Sequence, residues 1–274
     1  MTSGSILVGV DDSVPSRAAI RWALERARVA DMRVVLAHAL EDEWDATDKL
    51  VMLENREAAV ALLVAQVAYA TSIDDSIPVT TLLLEGDPLT ELADASANAE
   101  MLVVGTHKTG FIHGTVFGSK LLALASIANC PVAFIPNLAG NARHGVVASA
   151  EDTPTGQTTV RFAAAEAGMS SQQLTLVLAA PPTNATIDRR LSDVLELARS
   201  ADDSLRVRAR LSARGMAEAL IDASAAAALL VVGQPRTRPP GVTSLSRVAH
   251  DVLLNIASPT IVVFEDPPPL AAVV

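Results

Sequence analysis

Aromatic residues make up only 3% of this 274-residue chain, and cysteine occurs once. A lone Cys130 excludes a disulfide within the chain and argues against a cysteine-based metal centre. In the segment Ala128-Asn129-Cys130-Pro131-Val132 it reads as a small buried hydrophobe at a strand entry. Long apolar runs are missing too. The longest, Ala225 to Val232, falls far short of the roughly 20 residues a membrane span needs, so no membrane partner is expected. Met1 to Ser5 is polar, with no basic region followed by an apolar core, so the expectation is a cytoplasmic protein without a signal peptide. Positive charge is scarce: 21 Lys and Arg against 31 Asp and Glu give a net charge of −10. That argues against nucleic-acid partners, which need cations to replace phosphate counterions. The deficit is lopsided. Residues 1–138 carry 9 basic and 18 acidic side chains, a net of −9, and the remainder 12 and 13, a net of −1. Much of the acid lies in Glu41-Asp42-Glu43-Trp44-Asp45 and Asp48, which read as a solvated loop.

What the chain does have is aliphatic residues, half of the total being hydrophobic, and an internal repeat. Residues 91–105 (ELADASANAEMLVVG) and 219–233 (ALIDASAAAALLVVG) agree at ten of fifteen positions, at an offset of 128. Pro131 and Pro259 open matching runs, VAFIP and TIVVF, at the same offset. Near the start of each copy the offset is 140, where Arg21-Trp22-Ala23 matches Arg161-Phe162-Ala163. The second copy therefore has a deletion opposite the acidic loop. Two domains follow, 1–138 and 142–266, with a linker at Leu138 to Asn141 and a proline-rich stop at Pro267-Pro268-Pro269.

Within the first copy, short apolar runs alternate with helical periodicity. Ser5 to Val10, Val34 to Ala37, Val79 to Leu84, Met101 to Val104 and Val132 to Ile135 read as strands. Ser13 and Pro15 mark a helix start, followed by Ala19, Trp22, Ala23 and Ala27 on one face. A helix is expected over 50–70, another after Asp87-Pro88, and another starting near Gly118. Strands apolar on both faces and separated by helices predict a parallel sheet covered on both sides. The expected fold class is α/β: two tandem doubly wound five-stranded parallel sheets, with helices on both faces. Ligands in such sheets sit at the carboxyl ends of the strands near the topological switch point, which points to the loops after the first and fourth strands.

The loop after the fourth strand runs Gly105-Thr106-His107-Lys108-Thr109-Gly110-Phe111-Ile112-His113-Gly114-Thr115-Val116-Phe117-Gly118-Ser119. Glycines let a backbone approach closely, and successive N–H groups make an anion cradle. Gly118 and Ser119 are expected where the next helix begins, in the field that favours phosphate, and the Ser119 hydroxyl adds a donor. Lys108 and Lys120, two of the three lysines in the chain, flank the loop. Neither a P-loop nor a G-x-G-x-x-G fingerprint occurs. His38, His107 and His113 lack the spacing of a metal site, and none is expected.

With Val8-Gly9-Val10-Asp11-Asp12-Ser13, Gly86-Asp87-Pro88, Val103-Val104-Gly105 and the loop to Gly118-Ser119, the sequence resembles the universal stress protein family in its tandem two-domain form. That resemblance implies an adenine nucleotide alpha hydrolase-like fold and an ATP-binding stress-response sensor or regulator. ATP-binding members carry G-x2-G-x9-G-[ST] in this loop. Gly105 and Gly118-Ser119 keep that spacing, and Lys108 replaces the second glycine. By the resemblance, Asp11 faces the adenosine part, Gly9 gives close approach, and Ala39 offers backbone groups to the adenine. The family also implies pairing of the two domains within one chain and a possible homodimer. Two alternatives remain: a family member that works through protein contacts without nucleotide, and a slow ATPase in which Asp11 or Asp12 could hold Mg²⁺. No residue is obviously placed as a catalytic base. The abundance of Ala and Arg fits a bacterial source.

The second copy keeps the loop length but not its chemistry. Gly118, Ser119 and Lys108 become Ser246, Arg247 and Arg236, and Asp11 and Gly9 become Glu151 and Ser149. Pro235, Pro239 and Pro240 remove backbone donors. The expectation is a degenerate, structural second domain. The competing expectation is a different anion site built from Arg236, Arg238 and Arg247.

Overall fold

The computed structural model describes residues 4–41, 49–107, 115–138, 143–179, 184–200, 202–236 and 245–265. It divides into two compact units, Met1–Ala139 and Gly140–Val274.

The first unit opens with β1 (Ser5–Gly9), whose Ile6 and Val8 are fully buried. Helix α1 (Val14–Ala30) then starts where the sequence supplies a cap. The Ser13 hydroxyl accepts the Ser16 N–H at 3.2 Å, and a proline stands in the first turn. Its buried face carries Ala19, Ile20, Ala23 and Ala27. There follow β2 (Arg33–Leu40), α2 (Lys49–Ile73), β3 (Val79–Glu85), α3 (Pro88–Ala95), β4 (Met101–Thr106), α4 (Thr115–Ile127) and β5 (Val132–Pro136). The strands pair in parallel in the order β3-β2-β1-β4-β5. Helices α1 and α2 pack together and onto the sheet, as do α3 and α4 with each other. Each strand of the centre is buried on both faces, which is why it reads as a continuous apolar run.

The second unit repeats the order: β6 (Val146–Ser149), α5 (Pro154–Met169), β7 (Leu174–Ala179), α6 (Asn184–Arg199), β8 (Val207–Ser212), α7 (Met216–Ser224), β9 (Leu229–Gln234), α8 (Arg247–Leu254) and β10 (Thr260–Phe264). Its parallel strand order is β10-β9-β6-β7-β8. The two registers superpose at the sequence offsets: Val34 pairs Val79 in one unit, and Leu174 pairs Val207 in the other. Beneath α7 and α8 the core is Val147, Val177, Leu220, Leu230, Val232 and Val252.

Two elements differ from expectation. Strand β2 runs on to Leu40, so His38 and Ala39 lie inside it. Helix α4 begins at Thr115, three residues before Gly118. Cys130 is buried, 6% exposed. Among the described residues, no helix is long and apolar enough to cross a membrane.

Candidate functional site

A step in the sheet makes the site. β1 ends at Gly9, which is level with Ala37 of β2 and Val104 of β4. β2 continues to Leu40, held by pairing with β3 up to Glu85, and β4 continues to Thr106, held by β5. The recess above the end of β1, between its two longer neighbours, is the topological switch point, and a cavity of about 340 Å³ opens there. Such a volume lies within the range of small-ligand pockets, roughly 300–1,000 Å³.

Gly9, Asp11, Ala39, Gly105, Thr106, His107 and Lys120, all singled out from sequence, line this cavity. Lys108, Thr109, Gly110 and Phe111 lie outside the described residues. Gly118 and Ser119 fall within α4. Because α4 starts at Thr115, Gly118 and Ser119 stand at the end of its first turn and not at its first N–H groups.

Asp11 is set by its own loop. Its N–H donates to the Ser16 hydroxyl at 3.1 Å, and its Oδ1 accepts the Ser13 N–H at 3.0 Å. One carboxylate oxygen thus fixes the turn into α1, and the group itself is exposed. Asp12 instead pairs with Arg17 at 3.6 Å on the surface. His38 contacts the Val10 carbonyl through Nδ1 at 2.8 Å. A carbonyl can only accept, so Nδ1 carries a proton. Among the described residues no group of three or more metal-type ligands gathers.

The wall opposite is apolar: Leu89 and Leu92 from α3, and Leu121 and Leu124 from α4. These were not among the sequence candidates. Their signal was present as the i, i+3 spacing on each helix, but core and cavity faces share it. These apolar side chains, together with Asp11, Thr106 and Lys120 in the same lining, suit a group with an apolar face and a polar edge.

The two strand-end glycines act against protein. A Cβ on Gly105 would sit 2.3 Å from the carbonyl carbon and oxygen of Pro15, so its bareness lets β4 pass the first turn of α1. A Cβ on Gly9 would lie 3.2 Å from Leu92 and Val104 side chains.

In the second unit a buried side chain stands at the corresponding strand end. Gln234, in the position of Thr106, is 2% exposed. Its Oε1 accepts the Ser246 N–H at 2.7 Å, and the Ser246 hydroxyl accepts the Ala249 N–H. Two N–H groups at the start of α8 are therefore satisfied by the chain itself. Arg236 lies over the Phe264 ring at 4.9 Å. Arg238 lies outside the described residues. A cavity of about 190 Å³ in this unit opens beside Ala150, Glu151 and Asp152, the counterparts of Val10, Asp11 and Asp12, and extends along α5 and α6, with Val160, Val194 and Leu197 in its wall.

A model of the universal stress protein family matches residues 3–136. A universal stress protein of Mycolicibacterium smegmatis is 30% identical over 142 residues, covering 49% of this chain and 48% of that protein. One of Mycobacterium tuberculosis (strain H37Rv) is 33% identical over 138 residues, covering 48% and 47%. The chain spans about half the length of these curated relatives. The crystal structure of a universal stress protein from Archaeoglobus fulgidus superposes on 97% of this chain and 100% of that one, with a TM-score of 0.79 at 14% identity, a likeness of fold.

Proposed function

Since the chain belongs to the universal stress protein family through its residues 3–136, we propose that its first unit binds ATP in the recess above β1 and works as a nucleotide-dependent regulator. The observation that carries this reading is the 340 Å³ cavity, lined by apolar side chains of α3 and α4 and by Asp11, Thr106 and Lys120. The base lies against Leu89, Leu92, Leu121 and Leu124, and the β2 ledge at His38 and Ala39 supplies groups at its edge. Asp11 takes a ribose hydroxyl. The phosphates run toward Lys120 and the first turn of α4, where a cation and free N–H groups favour negative charge. Bound Mg²⁺ would neutralise the phosphates, with Asp11 the nearest carboxylate to assist. Nothing in this arrangement calls for a chemical step.

The second unit, in this reading, binds no nucleotide, because Gln234 already takes the Ser246 N–H and the Ser246 hydroxyl takes the Ala249 N–H, two donors at the start of α8 that a phosphate would use.

Calorimetric titration tests the proposal. ATP is expected to bind the full chain at one site, and Asp11→Ala to weaken it about tenfold or more, the usual loss for a hydrogen bond to a charged group. Undiminished binding by Asp11→Ala would move the ribose elsewhere. No binding by the unaltered chain, with or without Mg²⁺, would favour a family member acting through protein contacts.

A further inference from the structure

We propose that the uncharged outer face of α2 and the adjoining edge of β3 form a surface on which a second copy of this chain docks about a two-fold axis. From Ala58 to Ile73, α2 contains no charged residue. Its outer face exposes Val60 (47%) and Val64 (63%) beside the exposed Ala61, Ala65 and Ala68. The alanines recur at steps of four and three, so they share one side of the helix and admit close approach of another. β3 ends the strand order of its unit, exposes Leu82, and has one charged residue, Glu85, which pairs with Arg56 of α2.

The second unit shows what the same elements look like when they are kept apart from neighbours. At the 128 offset, Val60, Ala61, Ala65, Ala68 and Thr71 become Asp188, Arg189, Asp193, Glu196 and Arg199. On β8, Thr80 and Leu82 become Arg208 and Arg210. The alignment is secured in space, because Asp74 and Asp202 accept the N–H groups of Ser76 and Ser204 in identical turns. Charges on an edge strand and its covering helix are the usual protection against association. One unit has them and the other lacks them at equivalent places.

Charge also identifies the occupant. Residues 1–138 carry a net −9, so two copies repel wherever their acidic surfaces meet. A two-fold contact sets a patch against itself, and a patch with no acidic side chain of its own between Ala58 and Ile73, and with Arg17 and Arg21 at its Tyr69 rim, does so without the repulsion of the acidic surface. Its size is sufficient. The bare part of α2 is about 24 Å long and about 10 Å wide, and β3 adds a parallel strip about 23 Å long. Together they offer roughly 500 Å² per copy, so a pair buries on the order of 1,000 Å², the floor for a specific interface.

Sedimentation velocity of the full chain over a wide concentration range tests this. The unaltered chain is expected to dimerise. Val64→Lys, at an exposed position, is expected to melt normally and to weaken the dimer at least about tenfold, since it sets like charges face to face. Ser192→Lys, its counterpart in the second unit, is expected to leave the dimer unchanged. Ala65→Cys is expected to cross-link between copies on oxidation. A chain that stays monomeric throughout, or a dimer that Val64→Lys does not weaken, overturns the proposal.

Discussion

At the scale of single residues, close approach decides more than ligand contact. Gly105 reads from its spacing as a phosphate glycine, yet its missing Cβ makes room for the Pro15 backbone. Gly233 is its repeat partner, but there the nearest atoms are side chains, Thr159 Oγ1 at 2.3 Å and Thr155 Cγ2 at 2.8 Å. Thr159 Oγ1 can rotate away at the loss of its bond to the Thr155 carbonyl, whereas the Pro15 carbonyl is fixed in the first turn of α1. Gly105→Ala is therefore expected to cost about 3 kcal/mol or more in urea denaturation, and Gly233→Ala about 1–2 kcal/mol. Equal costs would contradict this account of the two glycines. The sequence carries the requirement for glycine at both sites, because Val-Val-Gly recurs. It does not say which backbone comes near, since Pro15 is ninety positions away in the chain and adjacent only after folding.

At the scale of elements, caps were legible and the cavity wall was not. Ser13 and Asp87 stand where a side-chain acceptor must satisfy a first-turn N–H, and both do so. Asp87 accepts the Thr90 N–H and its hydroxyl. These bonds hold its carboxyl below the ordinary aspartate range, with a weaker pull from Lys120. A lowered native pKa means that the ionised cap stabilises the fold above the unfolded value of about 4, and that this contribution is lost as pH falls through the lowered native value. Asp87→Ala is expected to cost about 1 kcal/mol at pH 7, and the gap to the unaltered chain should close below pH 4. A gap that persists undiminished in acid would show that the carboxylate is not the cap. The start of α4, expected near Gly118 from its glycine, lies at Thr115, within one turn of it. Leu121 and Leu124 then face a cavity instead of a core, a distinction that hydrophobic periodicity cannot make.

At the scale of the whole molecule, one fold has been used twice and unequally. The repeat, the alternation of strands and helices and the parallel order within each unit were all readable, because each follows from residue patterns along the chain. What was not readable is the side chain buried at the strand end of the second unit. Gln234 reads as an ordinary polar residue after a strand, and its bond to the Ser246 N–H appears only when β9 and α8 meet. The unequal surfaces have the same origin: the second copy is charged along α6 and β8, and the first is bare along α2 and β3.

The central claim is that the first unit binds ATP and the second does not. Native mass spectrometry of the full chain incubated with ATP and Mg²⁺ counts bound nucleotides on each chain directly. The account predicts one ATP per chain. Two per chain would contradict a second unit without nucleotide, and none would contradict nucleotide binding in the recess above β1.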